Sequence, residues 1–142
     1  MSMPSIQIAD SDEQISRCFP VMQQLRPHVP EAAFVSKVKE QQRGGYVLAY
    51  LEEGGQVFSV AGYRLIENLV SDKVLYVDDL VTLEEHRSRG YGKSIFDWLV
   101  QRARQEGCSY LELDSGVQRF HAHRFYLANR MIISAHHFRL KV

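Results

Sequence analysis

This 142-residue chain has only two cysteines, Cys18 and Cys108, and they form no Cys-x-x-Cys pair. Nothing suggests a disulfide framework, and both thiols read as reduced core groups of a cytoplasmic protein. Net charge is also absent. Seventeen basic residues balance seventeen acidic ones, which argues against a nucleic-acid partner. No apolar run approaches the length needed to cross a bilayer and no signal-peptide pattern is visible, so no membrane partner is expected. The pairs His121/His123 and His136/His137 have no cysteine pair beside them and no His-Glu-x-x-His pattern, so no metal site is expected. There is no repeat, linker or low-complexity segment. What remains is one ordinary globular domain over residues 1–142, 45% hydrophobic and 24% charged. Its halves differ: residues 1–71 carry 6 bases and 8 acids, and residues 72–142 carry 11 and 9.

The periodicities predict an α/β order. Ser5–Ala9 alternates as a short strand. Ser11 and Gln14 have capping-box spacing, and Ile15, Cys18, Phe19, Met22 and Leu25 form one apolar stripe, with a kink or break expected at Pro20. Pro30-Glu31 opens a second helix that ends near Gly44-Gly45. Residues 46–51 and 56–66 around Gly54-Gly55 read as a β-hairpin. Val74–Thr82 is apolar at both parities, as in a central strand buried on both faces. A helix follows over 91–106, then a strand over 110–113, a helix over 118–130, and closing strands at 131–134 and 136–142.

The junction between the central strand and its helix reads Arg87-Ser88-Arg89-Gly90-Tyr91-Gly92-Lys93-Ser94. Glycine lets the backbone approach a ligand, and a helix start offers unpaired N–H donors and a positive dipole end. With three cations added, the stretch reads as a cradle for a pyrophosphate. The Walker A pattern fails because its first glycine would fall on Arg87, and the dinucleotide pattern fails at Ile95. A third pattern, Arg/Gln-x-x-Gly-x-Gly/Ala, is matched by Arg87, Gly90 and Gly92. It is the acetyl-coenzyme A signature of the GNAT superfamily of N-acetyltransferases, and the chain resembles that family. The resemblance covers nearly the whole sequence and is strongest from Val74 to Tyr126. It implies an α/β fold, a single-domain mixed-sheet sandwich with helices on both faces, and acetyl transfer from acetyl-CoA to a primary amine by direct attack in a ternary complex. By the same resemblance, Arg87 to Ser94 hold the cosubstrate's phosphates, and the backbone of Leu80 and Val81 pairs with pantetheine. Tyr126 protonates the departing thiolate.

Asp78 and Asp79 are the other strong signal. Buried carboxylates are costly unless partnered, and a carboxylate beside a phosphate site is a functional candidate. A base can take the proton of the attacking amine. The resemblance implies that an acid on this strand often takes that role, and the nine-residue spacing from Asp78 to Arg87 fits that acid in some branches of the family. Adjacent strand residues face opposite ways, so Asp79 is expected on the other face, orienting water, holding a backbone N–H or binding substrate. The two acids read as an acidic floor for a cationic amine. The family pattern is broken at Arg130-Met131, where Gly-Phe is usual, and at Arg119, where many members have Asn; Arg119 adds a phosphate or thioester contact, or none. The acceptor is a small-molecule or peptide amine, and a homodimer is a further expectation. Two rival readings are a non-catalytic acyl-CoA-binding regulatory module and a nucleotide-phosphate enzyme. Retention of both aspartates and Tyr126 argues against the first, and the failed Walker A pattern against the second.

Overall fold

A two-residue Gly54-Gly55 turn, with φ of 59° and 81° at its two glycines, joins β2 (Val47–Glu53) to β3 (Gln56–Asn68). Both positions need the left-handed region, which glycine adopts without strain, and such turns match the twist of paired strands. This hairpin is the middle of a sequential five-stranded sheet, β1 (Ser5–Ile8), β2, β3, β4 (Asp72–Thr82) and β5 (Tyr110–Leu113). Strands β1 to β4 pair antiparallel throughout. The computed structural model describes residues 3–142. The chain divides into two compact units, one ending at Glu112 and the other Leu113–Val142.

In the first unit, helices cover both faces of the sheet, as expected. Helix α1 (Asp12–Leu25) opens with the capping box of Ser11 and Gln14 and buries Ile15, Cys18, Phe19 and Met22. It runs on through Pro20 instead of breaking there. With α2 (Glu31–Arg43) it packs Phe19, Phe34 and Val38 against Leu48, Tyr50 and Val60. The opposite face receives α3 (Tyr91–Gln105), whose Ile95, Leu99 and Ala103 are buried. There Trp98 meets Tyr63 edge-on at 6.2 Å and Tyr91 stacks on Phe58 at 4.7 Å. Val74 and Leu75 are adjacent and both fully buried, as a strand covered on both faces requires.

The second unit contains α4 (Phe120–Ala128). Its C-terminus is a Schellman motif. Met131 N–H donates to Tyr126 O and Arg130 N–H to Leu127 O, both at 3.1 Å, with Arg130 at φ 69°. Arg130 therefore stands at the left-handed position that glycine normally fills, and the turn survives the replacement. Residues 131–142, expected as two closing strands, form neither helix nor strand. A strand needs a neighbour to satisfy its backbone. Here Ile132, Ile133, Phe138 and Leu140 are 78% to 91% exposed.

Candidate active site

The register between β3 and β4 shifts at the centre of the sheet. Gly62 pairs with Asp79 and Tyr63 with Val77, which leaves Asp78 as the extra residue of a β-bulge. The bulge cancels the strict alternation of side chains. Asp78 and Asp79 therefore do not face opposite ways, as the sequence suggested. Both line one cavity of about 390 Å³, walled by the end of α1, by α2 and by Tyr46 and Tyr76.

Neither carboxylate is bare. Arg26, the residue that caps the C-terminus of α1, donates from Nε to Asp79 Oδ1 at 2.9 Å and from Nη2 to the Asp78 carbonyl at 2.9 Å. Tyr46 Oη donates to Asp79 Oδ2 at 2.7 Å. Arg64 Nε donates to Asp78 Oδ2 at 2.8 Å, and Gln41 Oε1 accepts from its Nη2 at 3.1 Å. Asp79 thus has a donor on each oxygen, whereas Asp78 Oδ1 has none among the described residues. The expected acidic floor is therefore charge-balanced. Burial, and then the charge of Asp79, push the Tyr46 phenol well above its ordinary pKa, so it remains a donor.

Gly62 makes this arrangement sterically feasible. A Cβ built there would lie 1.8 Å from Tyr46 Oη, so only glycine lets the phenol cross β3 to reach Asp79. Sequence reasoning missed Arg26, Tyr46, Gly62 and Arg64. One signal was present, because an isolated glycine inside a strand marks a bulge or a close approach. Nothing local marks the arginines, which come from elements distant in sequence.

β4 leads out of this cavity to a short 3-10 helix, Glu84–Arg89, and then to Gly90 at φ 81° and ψ 7°. Gly90 ends one helix and begins the next, and no side chain caps α3. The first N–H groups of α3 are thus left for another acceptor. Ser88, Arg89 and Gly90 are exposed, as are Lys93 and Ser94. Gly92 is the second residue of α3. Arg87 Nε lies 3.4 Å from the Thr82 carbonyl, and Lys93 pairs with Asp97 at 2.7 Å. Tyr91 turns inward, with its hydroxyl donating to Glu53 at 2.6 Å, so only its backbone is offered to the loop.

Leu80 and Val81 lie in the last part of β4, opposite Ala61 and Val60 of β3. On the side of β5, Ser109 N–H donates to Lys73 O at 2.8 Å, near the start of β4. In the second unit, Tyr126 is half-buried on α4 beside Phe125, with ring centroids 5.8 Å apart. Burial raises its phenol pKa, and Arg119 partly opposes this. The thiols are poor nucleophiles. Burial pushes Cys18 up to about 12 and also raises Cys108, which sits at the turn after α3. Among the described residues no three His, Cys, Asp or Glu side chains gather as a metal site, and no helix is long and apolar enough to cross a membrane.

A model of the Acetyltransferase (GNAT) family matches residues 11–129. The chain belongs to the GNAT family. It is 32% identical over 117 residues to the uncharacterized N-acetyltransferase YhdJ of Bacillus subtilis (strain 168), covering 82% of each chain. A shorter stretch of 51 residues, 36% of this chain and 33% of the relative, is 37% identical to the aminoalkylphosphonate N-acetyltransferase of Salmonella typhimurium. The fold matches that of the aminoglycoside N-acetyltransferase AAC(6')-Iy, solved in complex with CoA. The TM-score is 0.88 at 16% identity, over 100% of this chain and 96% of that one. This GNAT protein is thus an acetyl-CoA-dependent N-acetyltransferase.

Proposed function

We propose that the cavity over the β4 bulge receives a primary amine on a small molecule and that the amine attacks acetyl-CoA directly. The nitrogen lone pair adds to the thioester carbonyl carbon and the C–S bond breaks. The amine proton passes to Asp78, directly or through water, and the thiolate takes a proton from Tyr126. The observation that carries this reading is the free Asp78 Oδ1 in the cavity wall, on the strand that runs into the signature loop. Asp79, fully engaged by Arg26 and Tyr46, is the positioning member of the pair. Arg87 to Ser94 hold the phosphates through backbone N–H groups and charge, with Arg119 as a further phosphate or thioester contact. The backbone of Leu80 and Val81 takes the pantetheine amides. Direct transfer is favoured over a thiol relay because both cysteines stay protonated. Free cysteines also suit a cytoplasmic enzyme. The exposed apolar residues at 132–140 support a second copy as their cover, which would make the enzyme a homodimer.

The test is release of free thiol from acetyl-CoA across a panel of amines, followed by pH–rate profiles. Asp78→Asn should lose turnover most at low pH, where the amine is charged, and recover as pH rises. Tyr126→Phe should fall by roughly one to two orders of magnitude while still binding acetyl-CoA. If Asp79→Asn alone shows the pH rescue, the two roles are exchanged. An intact protein that binds acetyl-CoA but acetylates no amine would instead be the regulatory module.

A further inference from the structure

The cavity of this chain has a sign of its own. Both of its carboxylates are matched by guanidinium groups, Asp79 by Arg26 at 2.9 Å and Asp78 by Arg64 at 2.8 Å. Two further basic side chains, Lys37 and His28, line the same cavity, and no third carboxylate does. Neither makes a hydrogen bond or ion pair among the described residues. Elsewhere on α2 the cations are paired, Lys39 with Asp12 and Arg43 with Glu40. Lys37 is the exception on α2, and it lines this cavity. The lining holds two fixed cations, Arg26 and Lys37, and Arg64, which is not part of it, pairs with Asp78, so three fixed cations stand against two carboxylates before His28 is counted. The same lining includes the apolar side chains of Met22, Val29, Phe34 and Val38.

We propose that the acceptor carries an anion, carboxylate or phosphoryl, a short apolar spacer away from its amine, and that Lys37, assisted by His28, binds that anion. The proposal rests on the reading of this cavity as the acceptor site. The physical argument has two parts. An ammonium with no partner at a partly enclosed surface is complementary to an anion, and charge-assisted hydrogen bonds are the stronger kind. The positive excess also disfavours the protonated form of an incoming amine, which is the form that cannot attack. An acceptor with its own anion at Lys37 satisfies the first requirement and keeps its amine end at Asp78. A polycation meets an excess of its own sign.

The experiment compares matched acceptors with acetyl-CoA in the full-length protein. Linear alkylamines are set against ω-amino carboxylates and ω-aminoalkylphosphonates with two to five methylenes, and against diamines of the same lengths. The best anionic acceptor should exceed its uncharged counterpart about ten-fold in kcat/KM, mainly through KM. Lys37→Gln should collapse that preference about ten-fold. Lys37→Glu should shift it toward diamines, Lys37→Arg should keep it, and Lys39→Gln, outside the cavity, should leave it unchanged. Lys37 is exposed, so folding should survive all three changes. The carboxylate and phosphonate series separate the two sources of the anion. Equal kcat/KM for charged and uncharged acceptors, with no effect of Lys37→Gln, overturns the anion proposal and leaves amine transfer standing. If no amine in any series releases thiol, amine transfer in this cavity is wrong and the proposal falls with it.

Discussion

Asp78 and Asp79 owe their difference to their neighbours, not to their chemistry. Asp79 is held on both oxygens, and Asp78 keeps one free. The residue that sets this up is Gly62, which has no side chain to take part itself. Gly62→Ala forces the Tyr46 ring away, because the methyl carbon and the phenol oxygen would be 1.8 Å apart. Overpacking of this kind costs about 1 to 3 kcal/mol, and Asp79 also loses its Tyr46 hydrogen bond. Thermal unfolding of Gly62→Ala should therefore begin several degrees lower. Gly62→Ala combined with Tyr46→Phe should recover less than half of the loss, since the ring still fills the space. Full recovery in the double variant would mean that the hydroxyl alone causes the clash.

At the scale of elements, what could be read in the sequence was what is encoded locally. The α1 cap, the Gly54-Gly55 hairpin, β5 at 110–113 and the start of α3 at Tyr91 all follow from a few adjacent residues. The errors share another origin. Alternation in 136–142 reports which residues are apolar but not what pairs with them. The bulge at Asp78 is a property of β3 and β4 together. Pro20 was tolerated because α1 is held by packing around Ile15, Cys18 and Met22, not by propensity alone. The loop into α3 can be tested as an element. Gly90→Val should be strained whatever the ligand does, since φ is 81° there, although the space around its Cβ position is open. Gly92→Val lies in helical backbone and tests ligand approach more directly. Calorimetry should show weaker acetyl-CoA binding for both variants than for Arg89→Ala. Unchanged affinity in both glycine variants would remove the loop from the binding site.

At the scale of the whole molecule, two groups tie stability to alkaline pH. Cys18 titrates near 9.0 when unfolded and at about 12 in the fold, and the Tyr46 phenol is likewise raised from 10.0. A raised acid favours the folded state fully below its unfolded pKa. Stability should therefore fall as pH climbs past about 9, first through Cys18 and then through Tyr46. Denaturation midpoints between pH 7 and 11 should show this slope, and Cys18→Ala should flatten its onset by about one proton. The exposed tail is the other global property. Sedimentation should show a dimer for the intact chain and a monomer for residues 1–130. A monomeric intact chain would remove the proposed second copy.

The extra residue at Asp78 gives the enzyme an unusual vulnerability. Deleting Asp78 would restore unbroken pairing between β3 and β4 and leave every upstream pair, from Val77 with Tyr63 to Asp72 with Asn68, as it is. Val74 and Leu75, both fully buried, would keep their faces. Because that register is kept, the sheet would accept the deletion with only local repacking. If Asp78 is the base proposed above, a single lost codon removes it and leaves a folded, inert relative behind. An insertion at the same place in such a relative would be a short route back to a working site.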